Sequence, residues 1–117
     1  SPSVRHMTTR VMRDAGWEVV AAKDGIDALE MLAVMPQLPD VILTDIEMPR
    51  MGGFELAGAI GDDKTLSGIP VVVITSRTAE KHREKAREKG VAAYLVKPYV
   101  ESELIDLASR LTTVPVQ

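Results

Sequence analysis

The chain of 117 residues contains no cysteine, which excludes disulfides, thiol catalysis and zinc–thiolate sites. It has only a slight excess of acid: 14 basic residues face 17 acids, for a net charge of −3. That balance gives no electrostatic reason to expect a nucleic-acid partner. The longest apolar runs, such as residues 69–75, are far too short to span a bilayer. No stretch resembles a signal peptide, and no internal repeat or low-complexity linker interrupts the chain. The expectation is one cytoplasmic domain without a membrane partner, long enough to bury a core unaided.

What is present is an alternation of helical and strand-like segments. Val4, Met7, Val11 and Ala15 recur at helical spacing, with Gly16 as the stop. Residues 17–22 read as a short strand. Asp24 is placed to cap a helix carrying Ile26, Leu29 and Leu32, which Pro36 and Pro39 close. Residues 41–44 and 71–74 are continuous apolar strands, the second rich in β-branched side chains. Phe54, Ala57 and Ile60 mark a helix between them. Residues 81–89 read as a helix ending at Gly90, residues 93–96 as a strand, and Leu104, Leu107, Ala108 and Leu111 as a final helix. Such alternation predicts βαβ units and a parallel sheet with helices on both faces. Unbroken apolarity agrees, because parallel strands are buried on both sides.

Ligands of such sheets bind beyond the carboxyl ends of the strands. VILTD ends on Asp45, VVVITS on Thr75 and Ser76, and AYLVKP on Lys97 with Pro98 behind it. Each has a structural explanation alone: Asp45 and Thr75 as caps, Lys97 as a surface lysine with a buried stem. Their convergence on one edge is the signal of a site. A carboxylate can attack phosphorus to give an aspartyl phosphate. Phosphoryl transfer then needs positioning and charge, which Lys97 and the Thr75 hydroxyl can supply. A divalent cation would need more oxygen ligands, for which the Glu47 backbone carbonyl is a candidate beside Asp45.

The stretches DVILTDIEMPRMGGFEL, PVVVITS and AAYLVKPY, in this order and spacing, resemble the signature of the CheY-like receiver domain of two-component response regulators. The resemblance runs from Ser1 to about Thr112. It implies an α/β, flavodoxin-like doubly wound parallel sheet of strand order 2-1-3-4-5. It makes Asp45 the phosphoacceptor, supplied by a histidine kinase or a phosphotransfer domain, with Mg2+ held by Asp45 and the Glu47 carbonyl. Thr75 becomes the switch hydroxyl, Lys97 the lysine that contacts the acyl phosphate, commonly through a cis peptide to Pro98, and Tyr94 the aromatic that changes rotamer with Thr75. Glu47 and Arg77 occupy positions that flank the phosphoryl group and tune its hydrolysis. A downstream protein would meet the face formed by Lys81 to Lys89, Tyr94 and Leu104 to Leu111. The implied role is regulatory, with self-phosphorylation and autodephosphorylation as its only chemistry.

One departure is large. Receivers open with a central strand ending in an acidic pair that holds magnesium, and SPSVR resembles the residues just after that pair. Residues 1–117 are therefore expected to form a receiver domain without that strand, which leaves edges unpaired at residues 17–22 and 41–44. In AEKHREKAREKG, Lys81, Lys85 and Lys89 form one stripe and Glu80, Glu84 and Glu88 another, leaving only Ala79, His82 and Ala86 inward. So little apolar area predicts a marginally held helix. SRTAEKH with YLVKPY also resembles receivers at the C-terminus of CheA-type hybrid kinases that serve type IV pili, a free single-domain regulator being the other origin. Two further functions compete. A haloacid-dehalogenase-like phosphatase also uses a strand-end aspartate, with a second acid two residues on, here Glu47. A pseudo-receiver would bind partners without being phosphorylated.

Overall fold

The computed structural model describes residues 2–46, 50–75, 84–85, 88–96 and 101–112, and for residues 2–5, 75, 96 and 112 the backbone alone. Helix α1 spans Pro2–Asp14, α2 Gly25–Val34, β1 Ile42–Asp45, α3 Gly53–Asp62, β2 Val71–Thr75, β3 Ala93–Val96 and α4 Glu101–Thr112. The described strands form one parallel sheet of order β1-β2-β3. Neighbours in space are also neighbours in sequence, as in the 3-4-5 half of a flavodoxin-like sheet.

Strand β2 organises the core. Val71, Val72, Val73 and Ile74 are at most 3% exposed, and burial of each side chain contributes about 2 kcal/mol. Their directions alternate with the pleat. Val72 and Ile74 pack with Val11 and Met12 of α1 and Leu104 and Ala108 of α4. On the opposite face, Val71 joins Leu32 of α2 with Leu56, Ala57 and Ile60 of α3, while Val73 meets Phe54. Helices therefore cover both faces, which is why the strand sequence is unbroken in its apolarity.

Local signals set the helix boundaries. Gly16 takes φ +97° after α1, and the Trp17 amide donates to the Met12 carbonyl at 3.0 Å, closing the helix with a left-handed residue. The Asp24 carboxylate accepts from the Asp27 amide at 2.8 Å at the start of α2. After α2 the backbone turns extended at Met35, φ −71° and ψ 129°, ahead of Pro36.

Residues 17–22 correct one expectation: they form no strand. Trp17 and Val19 face the core beside Val41 and Leu43, while Glu18 and Val20 are exposed, so the period of two is kept. A strand also needs a ladder, and among the described residues no strand lies beside this segment. It is held in another way, for example by the Arg13 guanidinium donating to the Val19 carbonyl at 3.1 Å. Within 81–89, Glu84, Lys85 and Glu88 are helical, and Gly90 at φ +73° ends the segment as expected. Lys81, Ala79, His82 and Ala86 lie outside the described residues. No described helix is long and apolar enough to cross a membrane.

Candidate functional site

The register of the sheet builds the site. Asp45 is opposite Ile74, and Thr75 is opposite Val96. Parallel pairing thus brings Asp45, Thr75 and the end of β3 to one edge. Asp45 ends β1 and Thr75 ends β2; Lys97 follows Val96 in the sequence. Glu47, Arg77, Lys97 and Pro98 lie outside the described residues.

A backbone amide orients the Asp45 carboxylate, and a hydroxyl holds the Asp45 carbonyl. The Ile46 amide donates to its Oδ1 at 2.7 Å, and the Thr44 hydroxyl donates to the Asp45 carbonyl at 3.0 Å. The chain then turns back tightly: the Gly53 amide donates to the Ile46 carbonyl at 2.9 Å. A Cβ at Gly53 would run into the Asp45 carbonyl oxygen, and one at Gly52 would lie 2.6 Å from the Ile46 carbonyl oxygen. Both glycines are therefore needed for close approach of backbone to backbone. Immediately after them, Phe54 enters the core against Val73, with Ile46, Val91 and Tyr94 around it. Tyr94 is half-buried and lies opposite Val73 on β3. One small cluster thus connects the residue after Asp45 with the aromatic on the last described strand.

A second contact holds the same loop from outside. Asp24 is buried at 3% exposure. The Arg50 guanidinium grips it with two bonds, Nε to Oδ2 at 2.8 Å and Nη2 to Oδ1 at 3.0 Å. The arginine, then the Asp27 amide, lower the Asp24 carboxyl below its ordinary value against the opposing effect of burial; the carboxylate in turn raises the Arg50 guanidinium. The sequence marks Asp24 as a cap but gives no sign of its arginine partner, which comes 26 residues later.

A metal position is incomplete within this set. Among the described residues no three His, Asp or Glu side chains converge. Magnesium takes near-octahedral oxygen coordination from waters and one or two carboxylates, and Asp45 supplies one acid at this edge. The described residues alone do not make a magnesium site.

Part of the face expected to meet a partner lies among the described residues. Leu104 and Ala108 of α4 are fully buried, while Glu103, Asp106 and Arg110 are exposed. On the neighbouring segment Lys85 Nζ sits 5.5 Å from the centre of the Phe54 ring. The Lys89 stem lies 3.6 Å from where a Cβ on Gly58 would be.

Comparison with known proteins places this arrangement. The family described as response regulator receiver domain matches residues 1–109. The sensor histidine kinase CheAY of Helicobacter pylori is 31% identical over 110 residues, covering 94% of this chain and 14% of that protein. The chemotaxis protein CheY4 of Vibrio cholerae superposes with a TM-score of 0.85 at 32% identity, covering 95% of this chain and 91% of that one. The receiver domain of sensor histidine kinase PA1611 from Pseudomonas aeruginosa, solved with a magnesium ion coordinated in its active site cleft, superposes with a TM-score of 0.85 at 25% identity over 96% of this chain and 90% of that one. The chain spans only 14% to 22% of the length of three of the curated relatives it matches.

Proposed function

The chain belongs to the response regulator receiver domain family, and we propose that it accepts a phosphoryl group from a phosphohistidine donor onto Asp45. One observation carries the assignment: the parallel register sets Asp45 and Thr75 at the same edge, where β3 also ends one residue before Lys97. A carboxylate oxygen of Asp45 attacks phosphorus, and the bond from phosphorus to the donor nitrogen breaks. The leaving imidazole keeps the electron pair. The Ile46 amide orients the carboxylate for that attack, Lys97 neutralises the phosphoryl charge, and the Thr75 hydroxyl donates to a phosphoryl oxygen. Glu47 and Arg77 flank the group and slow its loss to water. Thr75 moving toward the phosphate makes room for Tyr94 to turn inward, against the cluster it already touches.

Magnesium, when bound, offsets charge on the phosphoryl oxygens. It is assigned to Asp45 and the Glu47 backbone carbonyl, and its remaining carboxylates must come from beyond the described residues. Residues 1–117 correspond to a receiver domain, and in the family's order the opening strand pairs beside the strand that β1 represents. The donor is a histidine kinase or phosphotransfer domain. The output partner meets residues 81–89, Tyr94 and the outer side of α4. The domain acts in the cytoplasm, either alone or within a CheA-type hybrid kinase. Membership of the receiver family removes the phosphatase alternative.

The test is an intact mass before and after incubation with acetyl phosphate and magnesium. Gain of one phosphoryl group, lost in Asp45→Asn, is the expected result. Stable partner binding without any phosphoryl uptake would favour the pseudo-receiver instead.

A further inference from the structure

Resting on the assignment of Asp45 as acceptor, we propose that Arg50 is a positioning residue for phosphoryl transfer, holding the loop that leaves β1 against the N-terminus of α2 through Asp24. Arg50 stands at φ +62°, the one described non-glycine residue with positive φ. That backbone region is cheap for glycine and costly for arginine. Glycine follows closely at residues 52 and 53, where no Cβ fits. Residue 50 keeps a long side chain despite its backbone, and that side chain makes the two-pronged contact with buried Asp24.

The contact lies on a short mechanical route to the acceptor. Beside it, the Gly25 amide donates to the Met51 carbonyl at 3.1 Å. A Cβ on Gly25 would stand 2.6 Å from the Met51 side chain, so α2 and the loop are in backbone contact. From Met51 the chain passes to Gly52 and Gly53, which pack on the Ile46 and Asp45 carbonyls. The Gly53 amide is bonded to the Ile46 carbonyl, and the Ile46 amide holds Asp45 Oδ1. Releasing Arg50 from Asp24 frees the middle of this loop and lets the Ile46 amide drift from the carboxylate it orients. Two parallel charge-assisted bonds fix direction as well as distance, which a lysine at the same position would not do.

Two variants separate the tie from its side effects. Arg50→Gly suits the positive φ and deletes only the side chain. Asp24→Asn retains an N-cap residue for α2 while removing the charge. Phosphate uptake from acetyl phosphate with magnesium is measured against donor concentration for the wild type, both variants and the double variant. The expected result is a maximal rate on the order of tenfold lower in each variant, with the half-saturating donor concentration unchanged. The double variant should be no slower than the slower single one, because both remove the same contact. Unchanged maximal rates in the variants, or additive losses in the double variant, would overturn the proposal while leaving Asp45 as acceptor. A wild type that takes up no phosphate overturns both.

Discussion

Two neighbouring regions of this molecule are held in opposite ways. The loop from Asp45 to Gly53 is pinned at its described positions by backbone contacts, an ion pair to the buried Asp24 and two glycines that tolerate no side chain. The helical residues Glu84, Lys85 and Glu88, with Lys89 beside them, are all exposed; among the described residues they meet the body through a lysine over the Phe54 ring and a lysine stem near Gly58. The contrast teaches a division of labour. Chemistry at phosphorus demands a fixed acceptor, whereas a switch responds only if some element lies within a few kcal/mol of another arrangement. Phe54 borders both regions: Ile46 packs against its cluster, and Lys85 Nζ lies over its ring.

The largest effect should come from removing that shared residue. Phe54→Ala is expected to cost about 4 kcal/mol, read as a lower urea midpoint, and to loosen both regions together. Gly53→Ala acts on the pinned loop alone. It should cost about 2–3 kcal/mol by forcing the Asp45 carbonyl to move, and phosphate uptake should fall with it. Hydrogen exchange sharpens the comparison without mutation: the Lys89 amide, bonded to the Lys85 carbonyl, should exchange at least about tenfold faster than the Gly53 amide.

Acid supplies a gentler probe. The Asp24 carboxyl is lowered from its ordinary 3.8 by Arg50. A carboxyl depressed by folding adds stability in full above its unfolded value and loses it as pH falls through the folded one. Melting of the wild type should therefore fall more steeply than that of Asp24→Asn as pH drops below 3.8. The smallest effect is that of Lys85→Ala, about 0.5–1 kcal/mol, and it should leave the Gly53 amide unmoved.

Much of the fold was legible because its signals are local. Unbroken apolar runs marked β1 and β2, helical spacing marked α1, α3 and α4, and Asp24 was readable as a cap from its place before an apolar stripe. The strand ends also located Asp45 and Thr75, since sheet direction fixes which end carries the site. What was not legible depends on distant partners. Residues 17–22 have strand composition and strand alternation, yet a strand exists only with a neighbour to pair. The Asp24–Arg50 tie depends on a positive φ at an arginine, which no propensity announces.

The most direct measurement traps the phosphorylated protein by borohydride reduction, which converts an aspartyl phosphate to homoserine, followed by peptide mapping. Homoserine at residue 45, and at no other aspartate, is the predicted result. Homoserine at another position, or a phosphorylated protein that yields none, would contradict the central claim that Asp45 is the acceptor.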